Sequence, residues 1–154
     1  MRIQMFVENP AGSVTKHLHD EDTLVLVGEQ TIAVPYPYTY GFIPGVAAPD
    51  GDCRDCFLLD TAPAATGDIV EVELVGLLEG FEETGDQCLV EDHNLLTRRV
   101  GDTRPATVDE IETLKEFITS VFGDTGPVMH VGAVRDARDA AQLLSDRLDC
   151  GAVM

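Results

Sequence analysis

The chain has 154 residues, of which 44% are hydrophobic, and its formal net charge is −18 at pH 7. These values predict a single folded domain over residues 1–154 rather than a disordered chain. The charge excludes nucleic acid as a partner, because binding to a phosphate backbone requires clustered lysine and arginine. No apolar run approaches the ~18 residues that span a bilayer, and the N-terminal apolar stretch is too short for a signal peptide, so the cytoplasm is the expected location.

The first two thirds of the chain are predicted to form short strands. Alternation of apolar and polar residues is clearest over residues 68–78. Residues 23–34 hold two short apolar runs around Gly28, which predicts a hairpin or a bulged strand. The other strands are predicted at residues 1–7, 36–44, 56–60 and 87–92.

Helical periodicity replaces this pattern near residue 107. Thr107 and Glu110 have the spacing of a capping box, as the N-cap and N3 residues of a helix that ends at Gly123. Apolar residues of this helix recur at helical spacing: Ile111, Leu114, Ile118 and Val121. A strand at 128–134 and a second helix at 136–148 are predicted to follow. Many strands followed by two helices indicate an α+β fold, a small closed or half-closed barrel with the helices packed outside.

Residues 36–55 carry the strongest functional signal. Three aspartates fall in one loop marked by proline and glycine: Asp50, Asp52 and Asp55. Carboxylates this close repel one another unless a cation lies between them, and their oxygens suit Mg²⁺ or Mn²⁺. The three tyrosines of the chain alternate just before this loop, so a strand would turn all three hydroxyls to one face: Tyr36, Tyr38 and Tyr40. Together these features predict a site for an anionic, phosphate-type small molecule.

Other kinds of metal site require a different spacing of ligands. An EF-hand would need oxygen ligands where the chain has Arg54 and Thr61. Cys53 and Cys56 form a C-x-x-C pair, but a structural zinc site would need two further ligands in a matching motif. A chance polar turn in an acidic protein accounts for the aspartates about as well as a metal site does, as far as spacing alone can decide.

The flanking sequence resembles the soluble family I inorganic pyrophosphatases. Their signature is a D-x-D-P-x-D loop that follows a Y-P-x-x-Y-G-F-I-P strand. The chain matches it with Tyr36, Pro37, Tyr40, Gly41, Phe42, Ile43 and Pro44, and then Asp50, Asp52 and Asp55. The segment around Glu8 is similar to the E-I-P-x-G-S opening of the family, and Lys16 stands where the family has the lysine of a K-Y-E segment. The resemblance covers nearly the whole chain.

This resemblance implies an OB-like closed barrel and a homo-oligomeric enzyme that hydrolyses inorganic diphosphate with Mg²⁺, or Mn²⁺. The implied metal ligands are Asp50, Asp52, Asp55, Glu82 and Asp86. The implied catalytic residues are Asp52, Asp55 and Tyr40. The implied substrate-binding residues are Lys16, Glu8 and Tyr36.

The chain departs from the family where phosphate-binding cations are expected. Val27-Gly28-Glu29 stands where the family has an arginine, and Cys88 lies at or near the position of a lysine. Phe122-Gly123 replaces a tyrosine–lysine pair. Arg54, inside the metal loop, is the best candidate to compensate as a substrate-binding residue. The other candidates are Arg98, Arg99 and Arg104, and a solvated surface is the simpler interpretation of Arg99 and Arg104.

Two alternatives to diphosphate hydrolysis therefore stay open. The first is a repurposed enzyme that uses the same metals on an organic diphosphate or another less charged molecule. The second is a non-catalytic homologue, which the retained carboxylates disfavour. His17 and His19 lie beside Lys16, and a histidine can either ligate a metal or donate to a phosphoryl oxygen. Cys88 is a candidate nucleophile or, more simply, a small buried residue.

Overall fold

The computed structural model of the chain describes residues 1–47, 53–86 and 88–153. Within these ranges the chain forms nine strands and two helices. The strands are β1 (Arg2–Asn9), β2 (Thr15–His19), β3 (Leu26–Thr31), β4 (Thr39–Ala47), β5 (Cys53–Leu58), β6 (Ile69–Glu83), β7 (Leu89–Glu91), β8 (Asn94–Arg99) and β9 (Val128–Asp136). The helices are α1 (Val108–Ser120) and α2 (Ala137–Val153).

The main sheet closes on itself. Its strands run in the order β1-β4-β5-β8-β6, and β6 pairs back with β1, so that these strands form a barrel. β5 and β8 are parallel, whereas the other barrel pairs are antiparallel. β7 and β9 pair with β6 outside the ring, and β2 and β3 form a separate hairpin. The predicted α+β fold with a small closed barrel is confirmed.

Glycines allow β6 to curve around the barrel. A Cβ atom on Gly76 would lie 2.9 Å from the carbonyl oxygen of Arg135, and one on Gly80 would lie 2.6 Å from the carbonyl oxygen of Asp92. The register of β6 with β8 shifts just before Gly76, and its register with β9 shifts just before Gly80. Such irregularities bend a strand, and glycine permits the close backbone approach that the bend requires.

Helix α1 forms where local sequence signals predict it. The Thr107 hydroxyl accepts a hydrogen bond from the Glu110 backbone N–H at 3.1 Å, and the Glu110 carboxylate accepts one from the Thr107 N–H at 2.8 Å. These bonds satisfy two N–H groups that the first helical turn leaves free. The buried face of the helix consists of Ile111, Leu114, Phe117 and Ile118.

Two hydrophobic clusters fill the molecule, one for each helix. α1 packs with Phe57, Val75 and Leu96 of the barrel strands. Ala140 and Leu144 of α2 pack against the opposite side, which includes Met5, Val72 and Leu95. Both helices therefore lie outside the barrel, as predicted. In the described part of the chain, no helix combines the length and the apolar character needed to cross a membrane.

The structure differs from the sequence prediction in two strands. The hairpin that includes Gly28 does not lie within residues 23–34, because Gly28 belongs to β3 and pairs with Leu18 of β2. Its turn is set by Asp20, whose carboxylate accepts hydrogen bonds from the N–H groups of Asp22 and Thr23, both at 2.9 Å. Strand β8 was not predicted, because its residues are nearly all buried and so do not alternate between apolar and polar.

Candidate active site

A cavity of about 770 Å³ opens beside the barrel, between the β2–β3 hairpin, the β6–β7 pair and the end of α1. Eight of its lining side chains carry carboxylates: Glu8, Asp20, Glu21, Asp22, Asp55, Glu82, Glu91 and Asp92. The other lining residues are Lys16, Leu18, His19, Tyr40, Gly45, Cys53, Val90, Phe122 and Met129. Lys16 is the one lysine or arginine among these described lining residues, so the cavity is strongly acidic.

The surroundings of Asp55 strongly perturb its carboxylate. Burial and then the neighbouring Asp92 carboxylate raise the pKa of Asp55 well above its usual range, although the Tyr40 hydroxyl donates a hydrogen bond that opposes this rise. Burial and the Asp55 charge raise the pKa of Tyr40 in turn, so that its hydroxyl stays a donor. Two like charges held close together at the edge of a cavity are the arrangement expected of a cation-binding site.

The chemistry of this donor set fits a divalent metal. Asp55, Glu82 and Asp92 present carboxylate oxygens, which hard divalent cations prefer, to one cavity. Asp50 and Asp52 lie outside the described residues. Within the described residues, no three ligating side chains already stand close enough to hold a metal by themselves.

Lys16 and Glu8 line the same cavity on the side of the β2–β3 hairpin. The Lys16 ammonium lies 5.2 Å from the centroid of the Phe122 ring, a distance at which a cation–π contact holds the side chain in place. Tyr36 lies beneath the cavity, where its ring stacks on Tyr40 with 5.2 Å between centroids. Burial raises the pKa of Tyr36, and the neighbouring Glu8 charge adds to this effect.

Comparison with known proteins agrees with this geometry. The profile of the family described as inorganic pyrophosphatase matches residues 5–124. The chain belongs to the inorganic pyrophosphatase family. The inorganic pyrophosphatase of Thermus thermophilus is 32% identical over 148 residues, which cover 91% of this chain and 85% of that protein. The inorganic pyrophosphatase of Aquifex pyrophilus is 33% identical over 125 residues, which cover 78% of this chain and 70% of that protein.

Solved structures of the family share the fold. The Thermus thermophilus inorganic pyrophosphatase superposes with a TM-score of 0.83 at 26% identity, and the match covers 96% of this chain and 90% of that one. The Coxiella burnetii inorganic pyrophosphatase gives a TM-score of 0.83 at 21% identity, with 95% and 92% covered. The pyrophosphatase-type barrel expected from the signature is thus confirmed.

Arg54 does not reach the cavity as the sequence suggested. Its side chain is only 2% exposed, and its Nη1 atom donates to Glu91 Oε1 at 2.6 Å. Successive residues of a strand point to opposite faces, so the neighbour of Asp55 on β5 turns away from the ligand side. The Arg54 charge is therefore paired with Glu91 in this structure.

Asp86 also lies away from the cavity. It is exposed in the turn between β6 and β7, where its carboxylate accepts a hydrogen bond from the Thr84 hydroxyl. Glu82, which the resemblance paired with it, does line the cavity. The acidic residue that lies near Asp55 is Asp92, which the sequence analysis did not single out. Asp92 directly follows the short strand β7, and no regular pattern in the sequence marks it.

The cysteines do not form a metal motif. Cys53 lines the cavity, whereas Cys56 is fully buried in the core that packs against α2. Three residues apart on one strand, their side chains point to opposite faces and cannot hold one zinc ion. Cys88 is exposed and does not line the cavity, which removes the basis for treating it as a nucleophile or a buried replacement.

Proposed function

We propose that this protein hydrolyses inorganic diphosphate to phosphate with divalent metal ions, and that Mg²⁺ is the physiological ion, with Mn²⁺ as a substitute. The observation that carries this proposal is the Tyr40–Asp55–Asp92 cluster at a cavity that also holds Lys16 and Glu82. The family membership supports the same reaction, because curated relatives across 70–85% of their length are inorganic pyrophosphatases.

The metal ligands that we propose are the loop aspartates together with the acidic residues that line the cavity: Asp50, Asp52, Asp55, Glu82 and Asp92. Asp92 takes the place that the resemblance gave to Asp86. When bound, divalent ions would polarise the diphosphate and lower the pKa of a bound water, so that hydroxide is available near neutral pH. They would also neutralise the carboxylates, which otherwise repel an anionic substrate.

The residues of the chain have separate roles in this scheme. The Tyr40 hydroxyl donates to Asp55 and so fixes the orientation of that carboxylate. Lys16 is the cation available to a phosphoryl oxygen, and Phe122 holds it over the cavity. Glu8 stands at the rim, and Tyr36 supports Tyr40 from below. Asp52 is our candidate for the residue that orients the attacking water.

A second candidate function rests on the apolar residues of the cavity. Leu18, Val90, Phe122 and Met129 line it together with the carboxylates. A volume of about 770 Å³ exceeds what a diphosphate needs and is typical of sites for larger organic ligands. An organic diphosphate could place its phosphates near the metals and its organic part against these side chains.

Phosphate release from inorganic diphosphate by the purified protein tests the proposal. With Mg²⁺ present, we expect turnover in the ordinary enzymatic range of about 1–10³ s⁻¹. Parallel assays at low and high salt, and with a set of organic diphosphates, complete the experiment. Hydrolysis of an organic diphosphate without hydrolysis of inorganic diphosphate would favour the second candidate. Absence of release from every substrate would contradict both.

We also propose, from the resemblance to the family, that the protein forms a homo-oligomer and is located in the cytoplasm. Light scattering of the purified protein measures the assembly directly. A monomeric mass at micromolar concentration would contradict it.

Metal affinity should depend on pH through Asp55. Because the pKa of Asp55 is raised, its neutral form persists to a higher pH than that of an ordinary aspartate, and a metal must displace the proton. We therefore expect Mg²⁺ affinity to rise with pH through the raised pKa and to fall below it, with proton release on binding. Calorimetry in buffers of different ionisation enthalpy measures both quantities. Glu112→Gln, which is exposed on α1 and does not line the cavity, is the control and should keep the wild-type pH dependence.

A further inference from the structure

His19 is one of the cavity residues that the proposed reaction does not use. It lines the cavity together with Lys16, and its Nδ1 atom lies 3.1 Å from Glu8 Oε2. Both side chains are withdrawn from solvent, with exposed fractions of 4% for His19 and 11% for Glu8. The edge of the imidazole also packs against Phe6, with 4.9 Å between ring centroids. The ring is thus held on two sides.

One strand irregularity lies at Glu8, and another lies opposite His19, where β3 has one residue more than β2. The register between β1 and β4 shifts between Val7 and Asn9, so that Glu8 is the unpaired residue of β1. The register between β2 and β3 shifts between Leu18 and His19. In a regular strand Leu18 and His19 would point to opposite faces, yet both line the cavity. Bulges increase local twist, re-aim side chains and are common beside active sites.

We propose that His19 is a substrate-binding residue, which donates a hydrogen bond from Nε2 to a phosphoryl oxygen of the diphosphate while Glu8 positions its ring. This inference rests on the proposed function, since it names a further contact to the same substrate. It supplies a second donor next to Lys16, in a cavity whose described lining is mostly acidic or apolar.

The protons of the pair are consistent with this role. Burial raises the pKa of Glu8, although the hydrogen bond and charge of His19 oppose the rise. The Nδ1–Oε2 contact requires one proton between its two atoms. Nδ1 is therefore occupied by Glu8, and contact with a ligand falls to Nε2. With a hydrogen on Nε2, the ring is a donor toward an anionic ligand.

Metal ligation by His19 is the alternative use of the same atom. A histidine that binds a metal usually donates its other nitrogen to a carboxylate, as His19 could to Glu8. Within the described residues, however, His19 does not belong to a group of three or more ligating side chains that could hold a metal. The phosphate contact is therefore the interpretation that we test.

Two substitutions distinguish the roles of the two ring nitrogens of His19. The amide of His19→Asn can replace Nδ1 and keep the bond to Glu8, but it removes the donor at Nε2. The longer His19→Gln can present a donor near Nε2 and loses the bond to Glu8. His17→Asn is the matched control, because His17 lies on the same strand, bonds to Asn9 and does not line the cavity.

Three quantities should be measured for each variant: the affinity for methylenediphosphonate, a non-hydrolysable diphosphate analogue, at saturating Mg²⁺; KM and kcat for diphosphate; and the affinity for Mg²⁺ alone. We expect His19→Asn to weaken analogue binding and raise KM by about 10- to 100-fold, the value of one charge-assisted contact, with a smaller change in kcat. His19→Gln should lose less, and Mg²⁺ affinity should stay at the wild-type value in both.

Equal losses in the two variants, or an unchanged analogue affinity in His19→Asn, would overturn the inference. A fall in Mg²⁺ affinity without analogue would overturn it in favour of metal ligation. In the wild-type protein, the ¹⁵N resonance of His19 Nε2 should shift when the analogue binds, and a constant resonance would also contradict the contact. If analogue binding depends on His19 but no phosphate is released from diphosphate, the proposed hydrolysis fails while this inference stands.

Discussion

Asp55→Asn is expected to reduce phosphate release strongly while it stabilises the fold in the absence of metal. Asparagine keeps the size of the side chain and an oxygen that can accept the Tyr40 hydrogen bond, but it removes the charge that would hold a divalent ion. We expect kcat/KM for diphosphate to fall by about 10²- to 10⁴-fold, the range for loss of a positioned catalytic group.

The gain in stability has a separate cause. Asp55 is withdrawn from water and lies near the Asp92 charge, and both effects disfavour its ionised form. A neutral amide at this position relieves that cost, so the melting temperature of the metal-free protein should rise at neutral pH. Thermal unfolding with and without Mg²⁺ checks this result, and metal should stabilise the wild type more than the variant.

Asp86→Asn is the matched control for Asp55→Asn. Its carboxylate is exposed in the β6–β7 turn and lies outside the cavity, so activity should stay close to that of the wild type. Asp92→Asn should resemble Asp55→Asn instead. If Asp86→Asn lost activity as severely as Asp55→Asn while Asp92→Asn kept it, the assignment of Asp92 as the ligand in this position would be wrong.

Arg98→Met is expected to cost about 3–5 kcal/mol of the free energy of unfolding, because it leaves a partly buried carboxylate without its partner. The guanidinium of Arg98 is 5% exposed and binds Glu110 at 2.5 Å. It also donates to the backbone carbonyls of Leu59, Arg104 and Pro105 at 2.7–3.1 Å. The Arg98 side chain thus connects β8 by hydrogen bonds to the start of α1 and to the segment that precedes α1.

The neighbouring arginine provides the control. Arg99 pairs with Asp60 at 2.8 Å, but its side chain is 64% exposed, and exposed pairs contribute about 0–1 kcal/mol. Arg99→Met should therefore change the midpoint of urea unfolding only slightly. The double variant Arg98→Met with Glu110→Gln should recover part of the loss, since it removes the unpaired charge. Equal costs for the two single arginine variants would contradict the buried role of Arg98.

Local signals in the sequence determined several features of this protein. The capping box and the apolar spacing specify α1, because a helix is stabilised by contacts between residues three and four positions apart. Alternation of apolar and polar residues over residues 68–78 indicates the first part of β6, although residues 72–78 of that strand are all buried. The signature around Tyr40 and Asp55 indicated the family, and with it the barrel.

Tertiary structure alone decided which side chains meet at the cavity. Arg54 and Asp55 are adjacent in the chain, yet strand geometry sends one into the interior and the other to the ligand side. Asp92 lies near Asp55 only because β6, β7 and β8 assemble in the same sheet as β5. β8 escaped prediction because a strand buried on both faces has no periodicity to detect.

The sequence by itself determined the helices, the clearest strand, the family and the acidic chemistry of the site, because each of these depends on residue types and on short spacings. Which charged side chains lie next to one another depends on the face, the register and the bulges of strands that lie far apart in the chain. For that reason only the folded barrel decided that Asp92, rather than Asp86, stands beside Asp55, and that Glu8 holds His19 at the cavity.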